Sequence, residues 1–316
     1  MAIFDNKQEL QQLCHLYLCG QVSAARRLIE QKAQITPEER AGIPQGKTGD
    51  FILRNRADSD LHKMVAVERT FYYSGQVLNA DIETDSDDAL FAAERLGEIV
   101  SYAYPQEQIY LKSRQAECYR YSDITDDEQD NQVRYRLYRD VMENYPVSEE
   151  KQDEFLMKWA KEIKDLKISS IDKYESLKSA QLRSSDYGRY AYKQDLKKLS
   201  EFYFSFNLDK VKEKGVPGED KILAAQKAKK AIDDIDVADD VVRKYQNDPL
   251  KLQELRDYKK HKYMLAALNG LKNAYKECGR VSDVKAVNLQ IGKAQNTFYK
   301  KYPQYRRRGP GYGFSR

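Results

Sequence analysis

The chain has 316 residues, 41% hydrophobic and 33% charged, with a formal net charge of +4. That length allows about two domains or one elongated array of helices, and that polarity excludes an intrinsic membrane protein. Its longest apolar runs, such as Met264 to Leu268, fall far short of the roughly 20 residues a bilayer crossing needs. The opening segment has no basic-then-apolar leader pattern, and Cys14, Cys19, Cys118 and Cys278 are too scattered for a disulfide framework. The expectation is an intracellular, cytoplasmic or virion-associated protein with free thiols.

Only 15 glycines, 8 prolines and 3 histidines are present, against 24 tyrosines. Few glycines argue against a sheet with phosphate loops, and the Lys, Gln, Glu, Ala and Leu of the second half are good helix formers. The predicted fold class is all-α: an irregular array of αα-hairpins, solenoid-like over 1–165, a long-helix bundle over 166–302, and a flexible basic arm over 303–316.

In chain order, Asp5 is placed to cap a first helix carrying Leu10, Leu13, Leu16 and Tyr17 on one face and ending at Gly20. Ser23 is expected to cap the next, with Ala24, Ala25, Leu28 and Ile29 as its buried stripe. From about 35 to 55, Pro37, Gly42, Pro44, Gly46 and Gly49 predict an irregular loop, with a short extended piece at Phe51–Leu53. Helices are then expected over 59–74, 86–102, 105–121, 130–145 and from Ser148 to about 166. Longer ones follow over 187–214, 217–246, 249–278 and 282–302. Leu250, Leu255, Tyr258, Leu265, Leu268 and Leu271 recur at helical spacing.

Cys19-Gly20-Gln21-Val22-Ser23 returns as Cys278-Gly279-Arg280-Val281-Ser282, and Gly75-Gln76-Val77 looks like a third copy. Each reads as a helix C-cap with a left-handed glycine, so three tight αα-turns are predicted. This resembles the turn of tetratricopeptide-type α-solenoid repeats, with Tyr275, Gly279 and Pro303, or Tyr138, Val141 and Pro146, near the aromatic, glycine and proline positions. The copies keep no constant period, and Ile291 and Arg134 stand where such repeats carry alanine. Chance recurrence of good turn chemistry is therefore the favoured explanation.

Catalytic and cofactor signals are weak throughout. Gly42 to Thr48 is similar to a phosphate-binding P-loop but has three residues between its glycines instead of four. Cys14, His15 and Cys19 are the only close cluster of metal-ligating types, and their spacing puts Cys14 and Cys19 on different sides of a helix; the acidic stretches 81–88 and 122–128 lack the EF-hand pattern and read as helix starts. No catalytic residue, cofactor or metal site is expected.

Basic residues interleaved with aromatic ones are more suggestive: Lys112, Arg114 and Arg120 in one predicted helix, Arg134, Arg136 and Arg139 in the next. On a hairpin they would share a face able to contact phosphates, or else form a solvated rim around half-buried tyrosines. The tail carries Lys300, Lys301, Arg306, Arg307, Arg308 and Arg316 and no acid, with Tyr305, Tyr312 and Phe314 among them. It suits nucleic acid, an acidic partner or docking on a neighbouring subunit. The first expectation is a non-enzymatic helical scaffold or assembly protein that binds protein partners or itself, without membrane insertion. A nucleic-acid-associated structural protein is the alternative, and an all-α enzyme or intracellular effector the second.

Overall fold

The computed structural model describes residues 6–79, 85–122 and 127–306, and all regular structure among them is helical. No helix among the described residues is long and apolar enough to cross a membrane. The chain divides into two compact units, Met1–Ile168 and Ser169–Arg316.

Unit 1 contains α1 (Asn6–Leu18), α2 (Val22–Lys32), α3 (Pro37–Gly42), α4 (Thr48–Asn55), α5 (Ser59–Asn79), α6 (Ser86–Ile99), α7 (Gln108–Tyr121), α8 (Glu128–Asn144) and α9 (Gln152–Asp165). Helix α5 packs against α1, α2, α4, α6 and α7, and from α6 onward each helix packs on the next. The core near its end is aromatic. Trp159 is fully buried, tilted against Tyr138 at 5.3 Å between ring centroids. Leu111, Leu156 and Ile163 are also fully buried, each contributing about 1.5–3 kcal/mol relative to exposure.

Unit 2 contains α10 (Ser170–Arg183), α11 (Asp186–Lys212), α12 (Gly218–Ala231), α13 (Asp239–Lys244), α14 (Pro249–Glu277) and α15 (Val281–Lys301). Packing runs α10 on α11, α11 on α12, α12 on α14 and α14 on α15, with α11 also touching α14. The core between α12 and α14 is made by Ile222, Ala225, Leu268, Leu271 and Ala274. Three alanines on α12, Ala224, Ala225 and Ala228, let the two helices approach closely.

Two of the three predicted αα-turns are present. Gly20 and Gly279 take φ +72° and +68°. In the first turn the Gln21 amide donates to Leu16 O and Gly20 N–H to Tyr17 O; in the second, Arg280 N–H donates to Tyr275 O and Gly279 N–H to Lys276 O. This is the paired Schellman pattern. Gly75 instead lies inside α5, where Phe71 and Val77 are buried and the flanking residues simply continue the helix. Ser23 and Ser282 are also inside their helices, which begin one residue earlier without a side-chain cap.

The segment 35–55 is not an irregular loop. Thr36 Oγ1 accepts the Glu39 amide while Glu39 Oε2 accepts the Thr36 amide, a reciprocal capping box with Pro37 at the first helical position. Phe51–Leu53 is helical within α4, and Ile52 is fully buried there. Ser169 caps α10 across a stretch with no predicted helix, its Oγ accepting the Asp172 amide at 3.1 Å.

The long helix expected over 217–246 breaks after Ala231. Asp233, Asp234 and Asp236 hold the break open by serving neighbouring helices. Asp234 accepts from Tyr174 Oη (2.7 Å) and from Lys178 Nζ on α10. Asp236 accepts two bonds from Arg256 on α14 and pairs with Lys197 on α11. Ile232, Ile235 and Val237 are buried beneath them. Leu250, read as part of the α14 stripe, is 84% exposed at that helix's start.

Candidate functional site

Helix α14 is flanked on two sides, by α12 and by α15, leaving a trough with α14 as its floor. Two hollows of 520 and 610 Å³ lie along it and share Lys229, Met264 and Gln290. Met264, Leu268 and Leu271 of α14 and Val287 of α15 line the bottom. Only Val287 and Phe298 of the 21 residues of α15 are buried, so this helix presents most of its surface outward.

The rim is basic, with Lys229 and Lys230 from α12, Lys260 from α14, and Lys293 and Lys301 from α15. Asp233, Asp257 and Asp283 are also present. Asp257 accepts from Lys301 Nζ (2.6 Å) and Tyr302 Oη (2.7 Å). Partial burial pushes its carboxyl up, but these bonds outweigh that and hold it below the usual aspartate range. Asp283 is paired with Arg280 at 2.6 Å. Lys260 Nζ donates to the Asp233 carbonyl and Lys229 Nζ to Gln290. Lys230 and Lys293 are exposed, with no ion pair among the described residues. Lys229, Lys230, Lys260 and Lys293 thus have no ion pair among the described residues and stand above an apolar floor.

The end of the trough is closed by an aromatic cluster. Phe298 contacts Tyr302 and Tyr305 at 5.2 and 5.7 Å between centroids. Tyr305 Oη donates to Glu254 (2.7 Å), which fixes the start of the C-terminal arm against α14. Of the arm residues predicted to contact a partner, Tyr305 and Arg306 are described, Arg306 exposed. Arg307, Arg308, Tyr312, Phe314 and Arg316 lie outside the described residues, as do Asp5 and parts of both acidic stretches.

The predicted basic hairpin of α7 and α8 is formed, but most of its cations are engaged within the chain. Lys112 pairs with Asp140 at 2.6 Å, Arg120 with Glu117 and Glu162, and Arg139 with Glu143. Arg134 is 1% exposed, lying over the Tyr119 ring at 5.0 Å and donating to Ser122 Oγ, so it faces the interior and not a partner. Arg136 is exposed. Arg114 donates to Ser74 Oγ at 2.8 Å on the side of the hairpin that meets α5.

No group of three or more His, Cys, Asp or Glu side chains among the described residues is placed to hold a metal ion. Cys14 is buried, and its thiol is pushed up to about 12, chiefly by burial and then by the charge of Glu107. Such a thiol stays protonated and unreactive at neutral pH. The Gly42–Thr48 segment runs from the last residue of α3 to the first of α4, with Gly46 at φ +77° and no strand before it among the described residues, so the P-loop context is missing. Sequence reasoning missed the trough because its rim comes from three separate helices, and only their packing brings those lysines along one groove. The only signal was the lysine content of 227–301. No family model, curated protein or solved structure matches this chain.

Proposed function

We propose that the protein is a non-enzymatic helical scaffold whose unit 2 takes an acidic amphipathic helix of a protein partner in the α12/α14/α15 trough. The observation that carries this reading is the pairing of an apolar floor, Met264, Leu268, Leu271 and Val287, with a rim of lysines from all three helices. A helix laid in such a trough buries apolar residues at i, i+3, i+4 and i+7, while acids along its flanks meet the lysines. Lys230 and Lys293, which have no carboxylate partner among the described residues, are the natural partners of those acids.

Nucleic acid binding through the C-terminal arm is the alternative reading, supported by the exposed Arg306 and the run of arginines that follows it. The two readings separate on the floor of the trough, because a phosphate backbone gains nothing from Met264 or Leu268. The test is fluorescence anisotropy of the full chain with three labelled probes: an acidic amphipathic helical peptide, the same composition with its apolar stripe scrambled, and a single-stranded oligonucleotide. Tight binding of the first probe alone supports the trough. Equal binding of the scrambled peptide, or preference for the oligonucleotide, contradicts it.

A further inference from the structure

Unit 1 holds a second cavity, of 610 Å³, where the turn between α1 and α2 faces α5 and α7. Three features meet in it. The first turn of α2 opens there at Gly20 and Val22 with no side-chain cap, so the first amides of the helix and its positive dipole end are available to a ligand. Tyr17 lines the cavity and is nine-tenths buried, yet its hydroxyl has no hydrogen-bond partner among the described residues. Burial raises the pKa of that phenol, with Glu68 adding to the rise, so it remains a proton donor at neutral pH. Arg114 also lines the cavity, with its guanidinium bonded to Ser74 Oγ and lying 5.7 Å from the Phe71 ring, and it has no carboxylate partner among the described residues.

An orphaned buried hydroxyl and an arginine without a carboxylate are each costly to keep, unless something charged and polar completes them. The one acid lining the cavity among the described residues, Glu68, is already paired with Arg26 at 3.0 Å. The remaining balance is positive, and the start of α2, a phenol and a guanidinium all line the one cavity. Gly75 contributes by absence, since a Cβ there would sit 3.5 Å from Arg114 Nη2 and narrow the approach. Phe71 stacks on Tyr17 at 5.0 Å, and Tyr72, 57% exposed, stands at the cavity edge.

We infer that this cavity is a binding site for a phosphate monoester on a flat organic body. The phosphate would be held by the α2 N-terminus, the Tyr17 hydroxyl and Arg114, and the body would lie along Phe71 and Tyr72. The volume is far more than a bare phosphate fills, which is why an organic body is part of the inference. The site lies wholly within unit 1 and does not depend on the trough of unit 2.

The test uses isothermal titration of the full chain, in chloride buffer, with phenyl phosphate, inorganic phosphate and benzoate. Phenyl phosphate is expected to bind saturably and more tightly than either of the others. Arg114→Gln should weaken it about tenfold or more, as loss of a charge-assisted bond predicts. Tyr17→Phe should weaken it a few-fold while leaving the thermal midpoint of the free protein unchanged or raised, since the hydroxyl it removes is unbonded. Tyr17→Phe also keeps the inference exposed to failure should Arg114→Gln not fold. No saturable binding of phenyl phosphate, equal binding of inorganic phosphate, or binding indifferent to the substitutions overturns it, the last because the ligand would then sit elsewhere, such as on the basic arm.

Discussion

His261 lies flat against Phe298, with ring centroids 4.1 Å apart and planes 4° from parallel. The imidazole Nε2 is buried with no hydrogen-bond partner among the described residues, and burial lowers the pKa of the ring from its ordinary 6.5. The folded chain therefore binds fewer protons than the unfolded one below that value. Stability contributed by neutral His261 is present above about pH 6.5 and is lost as pH falls through the lowered folded pKa. Urea midpoints measured from about pH 8 down to about pH 5 should decline, and His261→Gln should flatten the decline. The carboxylates held low by their partners, such as Asp236 and Glu254, act in a separate window below their ordinary values of 3.8 and 4.5. An unchanged slope in His261→Gln would contradict the burial argument.

The three glycines of the recurring Gly-x-Val pattern should respond differently to alanine. Gly20→Ala and Gly279→Ala place a Cβ on a left-handed backbone and should each cost about 1 kcal/mol. Gly75→Ala, in the interior of α5 with only ordinary contacts around the new methyl, should be neutral or gain about 0.5–1 kcal/mol. Chemical denaturation of the three variants distinguishes the two classes. A Gly75→Ala loss as large as the others would mean that α5 does not continue through that residue.

Asn131 is fully buried at the start of α8 and ties two segments together. Its Oδ1 accepts the Lys167 amide at 3.0 Å and its Nδ2 donates to the Asp127 carbonyl at 2.8 Å. Asn131→Leu leaves that amide and that carbonyl without these bonds and should destabilise unit 1 by about 1–3 kcal/mol. Hydrogen exchange at Lys167 should accelerate in parallel, and a variant with wild-type protection there would show the bond to be dispensable.

The helical character of the chain was legible because apolar residues recur at threes and fours and glycines fall where helices stop. The Gly20 and Gly279 turns could be read to the residue, since only a left-handed C-cap explains glycine at those points. At 35–55 the same glycine and proline logic misled: Thr36-Pro37-Glu38-Glu39 is itself a capping box with proline at the first position, a start signal outweighed by counting breakers. The Asp233–Asp236 break was illegible for a different reason. Its cause lies in Tyr174, Lys178, Lys197 and Arg256, three other helices away in sequence, and local pattern carries no trace of them. The basic hairpin was visible as composition, but which cations are already paired, as Lys112 is with Asp140, depends on packing alone.

The central claim, that the trough of unit 2 receives an acidic amphipathic helix, is tested most directly by a charge swap. Lys230→Glu with Lys293→Glu changes only exposed rim positions and leaves the floor intact. The account predicts that the double variant loses affinity for the acidic peptide by about tenfold or more and acquires affinity for its lysine-substituted counterpart, measured by anisotropy at fixed ionic strength. If the acidic peptide binds both proteins equally and the basic one binds neither, the trough is not where the partner docks.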